Sequence, residues 1–484
     1  MRQIIQGLFL LGFLIEIASA QTDSIASEKS LPEVQPYPQS TVPAYVILHK
    51  IVLEGNQKTL PHIILRELDM REGDTLHLTK VDTLLRQNRN KIFNTNLFVT
   101  VDLLLEYLDK DTSQLRICMQ ERWYLFPLPI FELSDRNFNE WWNIYDRDFS
   151  RTNYGLRIVQ ENFRGRKEKL SVLLQLGFNQ RFGLNYAIPY IDRRQKTGLS
   201  LDISYGQNKS VAYQTVNHRL VFLDGERENM RERVQASIAL THRNAFYSFH
   251  QFLVGYRHTR VADSILRLNP AYFLQGSNTQ RYLTISYRFR RDKRDIQVYP
   301  LQGKFWEVGI EKNGLFAGDD LNNFSLFGAF SLFHRFSKRW MADSQWSGQV
   351  TFQNNQPYAN AQAVGYGENV MRGYELYVID GQGYGLSRNT LKLEVFNTVR
   401  QLRFIPISQF RTFPVAMYLT AFSDFAYIKD DYFQEKSNFL TNKLIYSAGF
   451  GADFVTFYNL VLRFSYAWNS RGEGGFFFNF RTKF

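Results

Sequence analysis

Side chains able to do covalent chemistry are few in this sequence, and none stands in a catalytic spacing. There is no Gly-x-Ser-x-Gly, no His-Glu-x-x-His and no Cys-x-x-Cys. His62, His77 and the other histidines lack metal-ligand spacing, and the single cysteine, Cys118, excludes a thiolate cluster or a disulfide framework. The glycines of Gly381-Gln382-Gly383-Tyr384-Gly385 have no strand-to-helix context and are weak as a phosphate cradle. These residues predict a protein that is not an enzyme and uses no cofactor or metal. Ionic and hydrogen-bonding chemistry remains. The formal net charge is +12, from 58 Lys and Arg against 46 Asp and Glu. Residues 45–122 are balanced, so the excess falls on residues 123–484. So basic a region raises the question of nucleic acid, but no recognition motif accompanies the charge. A wet basic lumen, charged turns and anionic lipid are the preferred readings, and no nucleic-acid partner is expected.

The elements that must position these charges are legible from composition and period. Apolar residues make up 44% and mean hydropathy is −0.32. After residue 20 no apolar run approaches the ~20 residues of a spanning helix. Aromatics reach 16%, too many for a disordered chain. Residues 1–20 read as a signal peptide, with Arg2, the apolar Leu8–Ile15 stretch and a small-residue exit at Ala18-Ser19-Ala20. Residues 21–44 read as a Pro-rich leader. In 45–122 the pattern is mixed. A β-rich stretch ends at the turn Gly55-Asn56, and two helical segments follow, the second capped by Thr79. Two strands at 97–108 and 114–120 complete a small α+β module. Polar residues on its strands leave an edge for pairing with a partner's extended segment.

Beyond Trp123 the helical period gives way to alternation. Leu283, Ile285, Tyr287 and Phe289 oppose Thr284, Ser286 and Arg288, and Leu460, Leu462, Phe464 and Tyr466 oppose Arg463 and Ser465. A soluble sandwich shares this period. Polar faces rich in Arg, Gln and Gly, with aromatics near strand ends, favour an antiparallel transmembrane β-barrel. Respecting chain direction gives sixteen strands over 123–484, with 211–223 left as a hairpin overhang on an outer loop. Phe476, Phe478, Phe480 and Phe484 share one parity in the closing strand, which must pair with 125–133. That first strand holds Pro127 and Pro129, which cannot donate to a ladder, so a weak seam is expected there.

Residues 45–122 resemble a POTRA domain of the BamA/TamA-like outer-membrane assembly superfamily. The likeness rests on Ile51-Val52-Leu53-Glu54-Gly55-Asn56, Leu65-Arg66-Glu67-Leu68, Gly73-Asp74, Asn96-Leu97-Phe98 and Glu121-Arg122. In the barrel, Met371-Arg372-Gly373-Tyr374 is similar to the family's sixth-loop motif, and Phe422-Ser423-Asp424-Phe425-Ala426 to its thirteenth-strand motif. Glu394 stands where the family has an acidic residue on the twelfth strand, and Asp292, Arg294, Asp295, Pro300 and Gly303 match its turn between strands eight and nine. Met371 and Ala426 depart from the pattern conservatively. The resemblance implies a lumenal latch in which Arg372, flanked by Gly373 and Tyr374, meets Asp424 and Glu394, because an unpaired guanidinium in a confined interior is costly.

The resemblance further implies a short, single-POTRA member in the outer membrane of a Gram-negative-type bacterium, with the N-terminal module in the periplasm. Three functions are consistent with it. The first is accessory or specialised assistance to the insertion of outer-membrane proteins. The second is a pore secreting a partner polypeptide, and the third a structural or adhesive surface barrel. Expected partners are unfolded outer-membrane or secreted clients taken up through the POTRA-like module, outer-membrane lipid, and accessory subunits.

Overall fold

A computed structural model describes residues 45–109, 111–133, 147–192, 194–225, 228–353, 355–367, 369–402, 411–432, 438–456 and 460–481. The expected signal peptide (1–20) and leader (21–44), and Phe484, lie outside the described residues. Two compact units meet between Arg122 and Trp123.

The first unit runs β1 (Tyr45–Glu54), α1 (Pro61–Leu65), β2 (Thr75–His77), α2 (Leu78–Phe93), β3 (Phe98–Tyr107) and β4 (Thr112–Glu121). Its sheet has the order β2-β1-β4-β3, with β1 and β4 parallel and the other pairs antiparallel. Val46, Leu48, Val101, Leu115 and Ile117 are fully buried beneath α1 and α2, whose Ile63, Ile64 and Ile92 close the core. α2 starts one residue before Thr79, and no side chain caps it. Gly55 turns the chain at φ +90°, where a Cβ would lie 1.8 Å from the Met119 carbonyl oxygen, so only glycine fits. The Asn56 side chain donates to the Thr59 carbonyl (3.1 Å), and the Glu121 carboxylate accepts from the Lys58 and Thr59 amides, tying this turn to the last strand.

The second unit is one sixteen-stranded antiparallel sheet. Its strands are β5 (Leu125–Leu133), β6 (Thr152–Phe163), β7 (Glu168–Gly177), β8 (Asn179–Ile188), β9 (Thr197–Asn208), β12 (Arg231–Ala245), β13 (Ser248–Val261) and β14 (Thr279–Asp292). They continue as β15 (Gly303–Asn313), β16 (Asn323–Arg335), β17 (Trp340–Phe352), β20 (Gly383–Gln401), β21 (Thr412–Lys429), β22 (Leu444–Thr456), β23 (Leu460–Asn469) and β24 (Gly474–Arg481). The expected overhang is a separate hairpin, β10 (Ser210–Val216) and β11 (Arg219–Asp224). A second short pair, β18 (Gln362–Val364) and β19 (Ile379–Asp380), frames the segment 365–378, and α3 (Asp263–Leu268) lies between β13 and β14.

One parity of each strand carries exposed apolar side chains, among them Ile238, Phe252, Val254 and Val350, while the opposite parity is polar or packed. A belt of this extent is intolerable in water and is what hydrocarbon requires. The unbonded edges are β5 and β24. Among the described residues no ladder joins them.

Candidate functional site

Two connections fold into the space enclosed by the sheet, one from each end. From the end where β17 finishes and β20 begins, the segment 365–378 turns inward. Gly365, Gly367 and Gly373 take φ of +93°, +56° and +82°, a bend that side-chain-bearing residues resist. At Gly373 a Cβ would sit 3.1 Å from that of Ser447, so the close approach to β22 also favours glycine.

Arg372 follows this bend and lands on β20 and β21. Its Nε donates to Asp424 Oδ2 (2.9 Å), its Nη2 to Asp424 Oδ1, and its backbone amide to the same carboxylate (3.1 Å). Nη1 donates to Thr390 Oγ1 (3.0 Å) and Nη2 to the Asn389 carbonyl (3.1 Å), while the guanidinium lies 4.1 Å from the Phe422 ring centroid. Asp424 is wholly buried. A bidentate pair with its remaining donors also satisfied is the arrangement in which a buried ion pair holds. The Tyr374 hydroxyl, buried with its ring, accepts from the Ser470 amide (3.2 Å), and Tyr377 donates to the Glu473 carboxylate (2.8 Å). The segment is thus fixed to β20–β23 and to the turn at 470–473.

Glu394 is not part of this arrangement, contrary to expectation. It lies on β20 four residues beyond Thr390 toward the other end, where it pairs with Arg335 (3.4 Å) and accepts from the Tyr418 hydroxyl (3.3 Å). Four residues of strand are ~13 Å, too far for one guanidinium to span. Thr390 takes the second place beside Arg372 instead.

Glu375, three residues after Arg372, went unnoticed in the sequence. Its two carboxylate oxygens are buried and have no hydrogen-bond partner among the described residues. Burial, with Asp424 nearby, pushes its pKa up to about 7. Over the same loops, the tip of the β10–β11 hairpin places His218 in a fully buried position. Its carbonyl accepts from the Val378 amide (2.9 Å) and its Nε2 from the Leu440 amide (2.9 Å). Burial, reinforced by Arg471 and Lys443, lowers its pKa to about 4.

From the opposite end, the connection 293–302 enters the enclosed space. Asp292 and Arg294 form a bidentate pair, and the Asp295 carboxylate accepts from the Ile296 (2.8 Å) and Leu301 (3.1 Å) amides. Pro300 is buried, and Gly303 at φ +117° passes within 2.2 Å of the Lys293 carbonyl, measured from an added Cβ. This turn carries Tyr299 to the far wall. The Tyr299 hydroxyl donates to Asp453 Oδ2 on β22 (2.9 Å), which Arg463 on β23 grips at 2.8 Å through both oxygens. Lys392 lies 4.4 Å from the Tyr299 ring centroid and pairs with Asp343 (2.8 Å). Tyr299, Lys392, Asp343, Asp453 and Arg463 were all missed. For the four charged residues the signal was opposite charges at inward positions of adjacent strands, visible only once the register is known; Tyr299, on a connection, carried none.

At the seam, Pro127 and Pro129 stand opposite Ile158 and Leu156. Because β5 keeps an unbroken ladder with β6, the two imide nitrogens belong to its other edge, where a partner strand would need donors. On β24, Phe476 is 86% exposed, its ring 4.6 Å from that of Tyr466, and Phe478 lies 4.8 Å from Phe464. Phe480 is in register with Leu462.

A sheet curled until its eighth connection bonds its fourteenth strand, greasy outside and charged within, defines a transmembrane β-barrel. The chain belongs to the Omp85 superfamily, whose domain matches residues 162–484. Among solved structures, BamA from Haemophilus ducreyi lacking POTRA domains 1–3 is similar, with TM-score 0.51 and 16% identity over 90% of this chain and 84% of that one. CdiB from Escherichia coli is similar with TM-score 0.52 and 12% identity, over 90% of this chain and 74% of that one. At these identities the likeness is one of fold. No curated protein sequence matches.

Proposed function

We propose that this chain is an accessory or specialised factor assisting the insertion of other barrel proteins into the outer membrane. The observation that carries this reading is the seam, where β5 and β24 share no ladder among the described residues and β5 turns two prolines to that edge. An edge lacking its partner is a template for another strand. A nascent client strand would trade hydrogen bonds along it without covalent chemistry, cofactor or metal. In this reading residues 45–122 are a periplasmic POTRA-like module, and the outer edge of β3 receives extended client segments by strand addition. The Arg372–Asp424 latch holds the 365–378 segment inside, so that the wall beside the seam stays ordered while the seam opens.

A secretion pore is the second reading, favoured by the fold shared with CdiB. It requires both inward connections to leave the lumen during export. Depleting the protein and quantifying the outer-membrane proteome separates the readings. Loss of several barrel proteins is expected. Normal barrel levels with one secreted protein missing would transfer the case to secretion, and no change in either would favour a structural or adhesive barrel.

A further inference from the structure

Four arginines share one patch of the inner wall, and no carboxylate stands among them. Arg181 on β8, Gly206 on β9, Arg233 on β12 and Thr259 on β13 are successive partners in a single row of the sheet. Arg233 alternates with Val234, which is exposed on the outer face, so Arg233 and its row face inward. Arg231 stands two residues along β12, and Arg257 two residues along β13 from Thr259, each within roughly 8 Å of Arg233 by strand geometry. On β8, β9, β12, β13 and β14, no inward position within two residues of this row is acidic. Asp202, opposite Ser237, is four residues of strand away, ~13 Å.

Neutral groups hold these cations. Arg231 donates from Nε and Nη2 to Asn208 Oδ1 (3.3 and 3.1 Å). Arg257 donates to the Tyr282 hydroxyl (2.9 Å) and, with the Gln235 amide oriented to satisfy both, to the Gln235 side-chain oxygen (2.8 Å). Arg233 Nε donates to Thr259 Oγ1 (3.3 Å), while its Nη1 and Nη2 have no acceptor among the described residues and stay open to the lumen. Val261, opposite Arg231, belongs to a buried apolar cluster with Val211, Ile265, Tyr272 and Phe273. Beside such a cluster charges are poorly screened, so crowded guanidinium groups repel strongly and call for a counter-ion.

Gly206 leaves a gap in the row. A Cβ there would meet only ordinary contacts, the Gln180 carbonyl oxygen at 3.7 Å and Arg181 Cγ at 3.8 Å, so the Arg181 side chain leans over the gap. Arg181 and Arg233 flank it two strand spacings apart, ~10 Å between backbones. One tetrahedral ion fits between two arginines so placed, with oxygens for each; a carboxylate turns both its oxygens to one side.

We propose that the gap over Gly206 binds a phosphate-class oxyanion from the lumen. Arg233 presents its Nη1 and Nη2 to the ion, Arg181 approaches from the other flank, and Arg231 and Arg257 add charge without leaving their neutral partners. The proposal is independent of the insertion and secretion readings.

Isothermal titration of the full chain in detergent and chloride buffer with inorganic phosphate tests it. One saturable site is expected in the wild type. Arg233→Gln should weaken it about ten-fold or more, the usual worth of a charge-assisted hydrogen-bonded pair, and Arg233→Lys less. Gly206→Val should fill the gap and abolish binding, while Arg290→Gln, at the opposite end of β14, should leave it unchanged. Heat-modifiable migration confirms folding, and Arg181→Gln replaces Gly206→Val where that variant does not fold. Glycerol 3-phosphate distinguishes the source: binding as tight as that of phosphate marks a phosphomonoester, weaker binding the free ion, and either supports the site. No saturable binding of phosphate, equal affinity in Arg233→Gln, or binding of a polyglutamate peptide in place of phosphate would overturn the assignment.

Discussion

Arg372 and Asp424 form a buried ion pair on which the 365–378 segment hangs. Removing one partner strands the other in a closed interior, at a cost of about 3–5 kcal/mol for a buried pair. Arg372→Ala should therefore lower the heat-modifiable folded fraction on a gel, and Arg372→Lys should rescue it poorly, since one ammonium cannot replace the fork. Wild-type yield in Arg372→Ala would remove the latch from the account. Two titrating groups near it have opposite signs. Burial raises the Glu375 carboxyl in the fold, so its penalty is absent below pH 4.5 and complete above about 7. His218 is held neutral, so its penalty is absent above pH 6.5 and grows toward about 4. Limited proteolysis of the 365–378 segment should slow at pH 8 in Glu375→Gln and at pH 4.5 in His218→Gln. Unchanged rates in both variants would mean that neither charge loads the segment.

Among the elements, the connection 293–302 is the one whose reach was least foreseeable. It joins neighbouring strands β14 and β15, yet Tyr299 binds the wall formed by β20–β23. As a brace it reaches across one end of the barrel, while Arg372 ties 365–378 to the wall from the other. Replacing 296–301 by a short glycine-serine turn should raise single-channel conductance in planar bilayers. Tyr299→Phe, which loses only one hydroxyl bond to a carboxylate, worth about 1.5–3 kcal/mol, should raise it less. Equal, low conductance in both would show that the brace does not limit the pore. The module's turn was more legible, because Gly55 and Asn56 meet a local backbone requirement.

At the scale of the molecule, the sheet ends on two edges, β5 and β24, that share no ladder among the described residues. Backbone amides of β5 and β24 should exchange with deuterium faster than those of β12, β13 and β14, each bonded on both sides. Uniform protection around the ring would mean that a ladder joins the two edges and would remove the support for client-strand exchange there.

The sixteen strands, the hairpin overhang and the small α+β module follow from the sequence alone, because alternation with period two and local turn chemistry are properties of neighbours in the chain. The same holds for the prolines of the first strand. Which charges meet was decided by tertiary structure. Arg372 and Glu394 were matched by position in a motif, but a ladder places Glu394 about four residues away from the guanidinium and puts Thr390 beside it. Likewise Tyr299 finds Asp453 across 154 residues of chain. Local sequence specifies which face a side chain takes. Only the register and curl of the whole sheet specify what stands opposite it.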